Sequence, residues 1–404
     1  MFSAGKFVVA AVIVALFGGF LLASVLITPQ KDEIGPAAVT ESPSPMTSEE
    51  LLSGMVTEEV EPGVFRVAND GVRDLSYPSG YSGGAGFMVD VTPDGSVWLS
   101  TDDGKRGLFR LGEERVFEEV EGFFSSFREV APDGSLWAID RDWDFSRGGI
   151  FSFDGEGWTV RATTTDPLYA LAVGPDRTVW VLAEDDDKRC PDTEDDDCSG
   201  TVLLRLEDDG SLTTIEDWSD VFDGDAALDQ LAVSPDGDVW LVGTPRSHLL
   251  RFDGEGWDAI PSPERWNPGG RGPYRYLDIG PDGAVWLKAD TTGGLARFED
   301  PGWTTFTQAD GVEPWREPWG NPGSSTRELL NVAADGSVWV NGGPTDEGCG
   351  ATYFDGTTWT SYLVGLCIED FAIAPDGSVW LGADGRAGRL DLYVITPEAV
   401  AGTE

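Results

Sequence analysis

A short sequence unit that recurs seven times constrains the fold of this chain more than any other feature. The unit reads apolar, x, Pro-Asp-Gly, x, Val-Trp, apolar, and successive copies of its Trp lie 39 to 60 residues apart. Arg177 and Ala334 are the two departures within the Pro-Asp-Gly corner. A repeat of this length predicts one supersecondary unit used many times. The copies are centred on Trp98, Trp137, Trp180, Trp240, Trp286, Trp339 and Trp380.

Each copy has the pattern of a β-hairpin, because apolar residues alternate on both sides of a tight turn. A second hairpin follows most copies, as in GIFSFDGEGWTV from Gly149 and LLRFDGEGWDAI from Leu249. Four strands per unit and seven units predict an all-β, seven-bladed propeller of four-stranded blades. We expect the repeat Trp residues to pack between neighbouring blades. The same is expected of Trp158, Trp257, Trp303 and Trp359 at the second turns.

Closure of the ring requires strands from both ends of the propeller, which we place at residues 61–396, with residues 397–404 as a tail. The segment GVFRVANDGVRDLSY from Gly63 is typical of an outer hairpin that lacks an inner one. The segment RAGRLDLYVI from Arg386 follows the first hairpin of the seventh unit. Pairing these segments would leave no open sheet edge. The sequence leaves open whether the last blade is divided two plus two or three plus one.

The repeat resembles that of two-component-regulator propellers, in which a DGxxW strand precedes a GLxRFDG-type strand. The resemblance covers about residues 63–395, and GPDGAVWLK and GPDRTVWVL are also similar to the virginiamycin B lyase repeat. The first likeness implies a domain outside the membrane on a signalling receptor, and the second implies a His-dependent, Mg-assisted elimination. This chain has one His, His248, so no catalytic residue is carried over. The repeat therefore implies a fold rather than an activity.

The amino end has the features of a membrane segment. Residues 7–27 contain no charge and would span roughly 31 Å as a helix, close to the hydrocarbon thickness of a bilayer. We therefore predict a cytoplasmic end at residues 1–6, a single transmembrane anchor at 7–28 and a Pro/Ser/Glu-rich stalk at 29–60. A signal peptide is the competing interpretation, and cleavage stays open. Both interpretations place the bulk of the chain outside the cytoplasm.

The acidic composition excludes two classes of partner. The chain has 27 Lys and Arg against 72 Asp and Glu, a formal net charge of −45. Binding of nucleic-acid phosphates and docking on anionic lipid headgroups both need clustered positive charge. We therefore expect no nucleic-acid partner and membrane contact only through the amino-terminal helix.

The long connections of the predicted propeller carry the candidate ligand-binding residues. In a four-stranded blade, the links between hairpins and between blades leave the ring at one face, and long loops on a rigid scaffold often bind ligands. Aromatic side chains beside Arg suit sugar rings or peptides. Capping of the ring by the same side chains is the alternative. The candidates are Trp143, Trp218, Trp266, Arg271, Tyr274, Trp315 and Trp319.

The four Cys residues predict two disulfides, Cys190–Cys198 and Cys349–Cys367, because a loop or hairpin brings each pair together. Disulfides suit an exported protein. The loop around the first pair is rich in carboxylates that suit Ca²⁺, although a solvated acidic loop is the alternative. The possible ligands are Asp192, Glu194, Asp195, Asp196 and Asp197. No other cofactor and no catalytic residue is predicted.

The sequence therefore predicts a sensor-like binding module on the outside of the cell membrane, with an unidentified glycan or protein partner. Two alternatives stay open. One is an exported lyase or glycoside hydrolase that uses carboxylates of the same face, which would require a central pocket with converging carboxylates or a metal. The other is a structural protein of the envelope.

Overall fold

The computed structural model describes residues 47–53, 55–67, 87–101, 107–112, 117–120, 127–141, 148–185, 200–215, 227–244, 248–263, 277–289, 294–306, 329–342, 349–385 and 389–401. The chain divides into two units, Met1–Ser42 and Pro43–Glu404, and every described residue belongs to the second. The predicted anchor at residues 7–28 lies outside the described residues. Within those residues, no helix has the length and apolar character needed to cross a bilayer.

The described strands form seven antiparallel sheets, six of which have four strands in sequence order. Two strands precede them along the chain, β1 (Thr57–Glu61) and β2 (Val64–Val67). The first three blades comprise β3 (Phe87–Val91), β4 (Val97–Thr101), β5 (Gly107–Leu111) and β6 (Phe117–Val120); β7 (Phe127–Val130), β8 (Leu136–Arg141), β9 (Gly148–Phe153) and β10 (Trp158–Thr164); and β11 (Leu168–Val173), β12 (Val179–Asp185), β13 (Gly200–Leu206) and β14 (Leu212–Thr214).

Blades 4 to 6 repeat this order, with the innermost strand first. They comprise β15 (Ala227–Val233), β16 (Val239–Thr244), β17 (His248–Phe252) and β18 (Trp257–Pro261); β19 (Leu277–Ile279), β20 (Val285–Ala289), β21 (Gly294–Glu299) and β22 (Gly302–Phe306); and β23 (Leu330–Val332), β24 (Val338–Asn341), β25 (Ala351–Phe354) and β26 (Trp359–Tyr362). The all-β, seven-bladed propeller predicted from the repeat is confirmed.

The seventh blade closes the ring and differs from the prediction. It contains β27 (Ile368–Ile373), β28 (Val379–Gly385) and β29 (Arg389–Ile395), and its sheet order is β1-β2-β29-β28-β27. Three strands from the carboxyl end are therefore joined by two from the amino end, giving five strands rather than four. The amino-terminal hairpin begins at Thr57, before the expected start at 61, so its first strand lies within the segment predicted as a stalk.

Short helices cover both ends of this hairpin. Helix α1 (Ser48–Leu52) begins with a capping box between Thr47 and Glu50, also within the predicted stalk. Helix α2 (Pro397–Ala401) packs over the turn between β1 and β2, where Gly63 has a φ of 70°. A Cβ atom on Gly63 would lie 2.6 Å from Cβ of Ala399, so this turn requires glycine.

The first strands of the blades surround the axis, and polar side chains join several of them. Asp370 of blade 7 accepts a hydrogen bond from the backbone N–H of Val89 in blade 1, at 2.9 Å. The Asn331 amide of blade 6 donates to the carbonyl of Phe371 in blade 7, at 3.0 Å. Bonds of this kind link the inner backbone of one blade to the next, including across the join between the chain ends.

The repeat Trp residues form the contacts between blades, as predicted. Six of the seven are at most 6% exposed, and Trp137 is partly buried. In four blades the Trp ring contacts a Phe in the third strand of the following blade, with centroids 5.4 to 6.4 Å apart. That Phe also packs on the second-turn Trp of its own blade. The resulting trios are Trp98–Phe153–Trp158, Trp180–Phe252–Trp257, Trp240–Phe298–Trp303 and Trp286–Phe354–Trp359.

The Pro-Asp-Gly turn explains the one strained position of the repeat. Six blades place a Gly at the fourth turn position with φ between 78° and 95°. Blade 3 places Arg177 there, with φ of 70°. The left-handed conformation is unfavourable for a residue with a Cβ atom. Arg177 Nε also lies 3.2 Å from Asp133 Oδ2 of the neighbouring turn, with a largely exposed side chain.

We expect Arg177→Gly to be more stable than Arg177→Ala by about 1 kcal/mol, because both lose the ion pair and only Gly relieves the backbone. Chemical denaturation of both variants and the parent measures the difference. Equal stabilities of the Gly and Ala variants would contradict the assignment of strain to this turn.

Candidate functional site

The antiparallel order of the strands gives the ring two different faces. In blade 3 the start of β11 pairs with the end of β12, which pairs with the start of β13: Leu168 lies opposite Ala183, and Asp185 opposite Gly200. The links between hairpins and between blades therefore leave the ring at one end, which we call the loop-rich face. The Pro-Asp-Gly turns and the second-hairpin turns lie at the opposite end, which we call the short-turn face.

A disulfide joins two links of the loop-rich face. Cys349 lies just before β25 of blade 6, and Cys367 just before β27 of blade 7. Their bond is one of the two pairings predicted from the sequence, and the backbone N–H of Gly365 also donates to the carbonyl of Cys349, at 2.9 Å. Blades 6 and 7 are therefore covalently joined at this face. The other predicted pair, Cys190 and Cys198, lies outside the described residues.

The ligand-binding and metal-binding residues predicted from the sequence all lie outside the described residues. This holds for Trp143, Trp218, Trp266, Arg271, Tyr274, Trp315 and Trp319, and for Asp192, Glu194, Asp195, Asp196 and Asp197. The strands that border their loops end at the loop-rich face. In the part of the chain that the structure describes, no three Asp, Glu, His or Cys side chains are arranged to hold one metal ion.

A set of polar residues near the axis was missed by the sequence prediction. The residue paired with the repeat Trp on the first strand is Asp90 in blade 1, Glu129 in blade 2, Asp278 in blade 5 and Asn331 in blade 6. Blades 3, 4 and 7 have Ala at this register position: Ala172, Ala232 and Ala372. This register position is therefore polar in four blades and apolar in three, where Ala172 is buried and Ala232 and Ala372 pack against core clusters.

Hydrogen bonds fix Asp278 between blades 5 and 6. The backbone N–H of Val332 donates to Oδ2, at 2.6 Å, and the backbone N–H of Ile279 donates to Oδ1, at 2.8 Å. Burial raises the pKa of Asp278 to about 6, even though both backbone hydrogen bonds favour the ionised form. The carboxylate is thus held in place in a region where ionisation is unfavourable.

Glu129 lies in electrostatic contact with acids of two other blades. Burial, followed by the negative charges of Asp278 and Asp90, raises the pKa of Glu129 to about 8. The residue is partly buried and keeps some solvent contact. At neutral pH its carboxyl is mostly protonated and able to donate a hydrogen bond.

One sequence signal would have found these residues. All of them lie eight positions before the repeat Trp, within strands whose other residues are mostly apolar. At this register position of the first strand, four blades have three acids and an amide, whereas the other three blades have Ala. The polar residues stand out because Ala is sufficient for the structure in those three blades. The three acids Asp90, Glu129 and Asp278 are called the axial carboxylates below.

Comparisons with known proteins identify the architecture. No protein-family model and no curated protein matches the chain. Among solved structures, a streptogramin B lyase has a TM-score of 0.53 at 14% identity, covering 79% of this chain and 96% of that one. A catalytically inactive virginiamycin B lyase from Staphylococcus aureus, solved with quinupristin, has a TM-score of 0.51 at 13% identity, covering 79% and 97%.

A third similar structure is an extracellular domain. The extracellular domain assigned to a one-component system of B. thetaiotaomicron has a TM-score of 0.50 at 12% identity, covering 85% of this chain and 45% of that one. Identities this low establish the fold alone. The resemblance in fold to lyase-type and sensor-type propellers, predicted from the repeat, is confirmed.

Proposed function

We propose that the protein is a membrane-anchored, extracytoplasmic binding module that captures a ligand or partner at its loop-rich face. The observation that carries the proposal is the placement of its connections: the links between hairpins and between blades all leave the ring at one end. Among the described residues, the strand connections at the opposite end are tight turns. Rigid scaffolds with elaborated loops at one end commonly bind there.

The export of the propeller is supported by two features. The Cys349–Cys367 bond suits an oxidising compartment. The uncharged segment at residues 7–27 has the length of a single membrane span, and we propose that it anchors the chain. Low-identity likeness to an extracellular sensor domain agrees with this location but supports only the fold.

The proposed ligand chemistry follows from the composition of the loops. Five Trp lie outside the repeat, in the connections of the loop-rich face, together with Arg and Tyr. Indole rings stack on sugar rings and on peptide side chains, and Arg donates to their carboxylates and carbonyls. We therefore propose a glycan or peptide ligand, with Trp266 and Trp315 as contacts.

A glycan and peptide array probed with the full chain in detergent tests this proposal, with and without Ca²⁺. For a ligand found there, Trp266→Ala with Trp315→Ala should weaken binding at least about 10-fold without changing the thermal unfolding of the ring. The matched control is Glu156→Gln with Glu255→Gln, on exposed turns of the short-turn face. Equal binding by the Trp variant and the parent would contradict the proposal.

The same experiment addresses the lyase or hydrolase alternative, which would need a protonated acid such as Glu129, whose pKa is raised by burial and by Asp278 and Asp90. A protonated carboxyl near an ionised one is the arrangement that general acid catalysis needs. Mass spectrometry of the array ligands after incubation would detect cleavage. Cleavage that Glu129→Gln abolishes would identify an enzyme in place of a binding module.

A further inference from the structure

Lys288 places a buried amine between blades 5 and 6. It lies on β20, close to the end of the strand that meets the loop-rich face, and is 8% exposed. Leu287 before it and Leu295 opposite it on β21 are at most 3% exposed. Lys is seldom buried to this extent, because removal of an ammonium group from water costs free energy. A lysine retained in such a position therefore points to a specific partner.

The partner is Asn341, at the end of β24 in blade 6. The Lys288 Nζ donates to Oδ1 of Asn341, at 2.9 Å, and to its backbone carbonyl, at 3.0 Å. The two residues are 53 positions apart in the sequence, so the contact depends on the packing of one blade against the next. Because a C=O bond is about 1.2 Å long, the amine lies at most about 4 Å from Cγ of Asn341. Atoms held at nearly this separation are close to the geometry that bond formation needs.

The side-chain carbonyl of Asn341 is fixed by a second donor. The backbone N–H of Leu329 donates to the same Oδ1, at 2.7 Å, and Nδ2 donates to the carbonyl of Ile368 in blade 7, at 3.5 Å. Two donors at one atom identify it as the oxygen of the amide. Donors fixed at a carbonyl oxygen also stabilise the negative charge that develops there when its carbon is attacked. Cγ of Asn341 is therefore polarised beside a buried amine.

We propose that Lys288 and Asn341 join in an intramolecular isopeptide bond between blades 5 and 6. The lone pair of the neutral Nζ attacks Cγ of Asn341, so that the Nζ–Cγ bond forms and the Cγ–Nδ2 bond breaks. One proton passes from Nζ to Nδ2, which leaves as ammonia, and no oxidant or other reactant is consumed. Desolvated lysine amines act as nucleophiles in proteins. The product is a neutral amide, which removes a charge that is costly to bury.

The bond would extend the covalent join already present at the loop-rich face. The Cys349–Cys367 disulfide joins blades 6 and 7, so the two bonds together would connect blades 5, 6 and 7. A covalent link between residues far apart in sequence stabilises a fold mainly by restricting the unfolded chain. Unlike the disulfide, an amide would survive reducing agents. This proposal does not depend on which ligand the loop-rich face binds.

Mass spectrometry of the full chain tests the bond after purification in detergent, reduction, denaturation and digestion with trypsin. In the parent, Lys288 should resist cleavage, and a branched peptide should join the Lys288 and Asn341 segments with the loss of one ammonia molecule. Lys288→Met and Asn341→Ala should each abolish this peptide. The matched control is Asn331→Ala, which removes another amide that links blade 6 to blade 7 and leaves the residue that three other blades have there. The control should retain the branched peptide.

The parent chain alone decides the question if the variants fold poorly, because the bond is detected in the parent. Linear peptides that end at Lys288, obtained after prolonged incubation of the folded parent at neutral pH, would show a free amine and overturn the proposal. A branched peptide that joins Lys288 to a residue other than Asn341 would overturn it as well. Loss of the branched peptide in Asn331→Ala to the same extent as in Asn341→Ala would contradict the assignment of Asn341.

Discussion

Deletion of residues 1–67 is expected to prevent the ring from closing, whereas deletion of residues 1–42 should leave it intact. The longer deletion removes β1 and β2, and with them Val64 and Val67, which are at most 2% exposed. Burial of two such side chains contributes about 3–6 kcal/mol, comparable with the net stability of many domains. Strand β29 would also lose the backbone partners that pair Val64–Val67 with Leu392–Ile395.

Thermal unfolding followed by Trp fluorescence and near-UV circular dichroism measures this effect. The chain of residues 43–404 should unfold cooperatively, and the chain of residues 68–404 should aggregate or unfold at a much lower temperature. A synthetic peptide of residues 55–67 should restore part of the lost stability, since it carries both missing strands. Similar unfolding temperatures of the two chains would show that the amino-terminal hairpin does not close the ring.

The folded protein is expected to lose stability as pH rises from about 4.5 to about 8, and Glu129→Gln should remove much of this loss. The pKa of Glu129 is raised from 4.5 to about 8 by burial and by Asp278 and Asp90, so the folded state holds a proton that the unfolded state releases in this range. Stability therefore falls with rising pH until the folded pKa is passed. The cost at high pH is roughly 2–4 kcal/mol after allowance for partial solvent contact.

Turn carboxylates have the opposite dependence. Hydrogen bonds from the backbone and side chain of Thr178 lower the pKa of Asp176, and backbone hydrogen bonds from Glu255 and Gly256 lower that of Asp253. Their contribution is present above the unfolded pKa of about 4 and is lost as pH falls below it. The combined dependence gives maximal stability at roughly pH 4 to 5.

Denaturant unfolding of the parent, Glu129→Gln and the exposed control Glu119→Gln across this pH range checks the prediction. Glu129→Gln and the parent should have equal stability near the acid end, and the variant should be more stable at the alkaline end. Glu119→Gln should follow the parent throughout. A difference that is constant with pH would mean that Glu129 affects packing and not proton binding.

The architecture could be predicted from the sequence because each local signal agreed with the global fold. Three signals predict the same hairpin. They are the Pro-Asp-Gly turn, the alternation of apolar residues on both sides of it, and the Trp that lies eight residues after its partner on the first strand. The same residues are found in the aromatic contacts between blades, such as Trp98 with Phe153. Repetition made one correct assignment sufficient for seven blades.

The closing blade could not be predicted in full, because its outermost strand has an unusual composition. Strand β1 reads TEEVE and is almost wholly exposed, so its residues resemble an acidic linker. Its strand conformation comes from backbone pairing with β2, such as Glu58 with Arg66. No local pattern of apolar residues predicts this strand. The acidic side chains also protect this edge from pairing with other sheets.

The axial carboxylates escaped prediction for a different reason. A period of two assigns Asp90, Glu129 and Asp278 to one face of a strand, but that face is polar only where it borders the axis. Which acids meet across the ring depends on the closure of all seven blades. The loop residues proposed as ligand contacts remain predictions, since they lie outside the described residues.

The shared seventh blade also sets the order of events during synthesis. Val64 pairs with Ile395, about 330 residues later, so the first hairpin leaves the ribosome long before its partner exists. Blades 1 to 6 can form in turn, but the amino-terminal hairpin must wait, and in an exported chain it waits beyond the membrane. Its first strand is acidic and has few apolar residues, so the unpaired hairpin is less prone to aggregate with other chains during that interval.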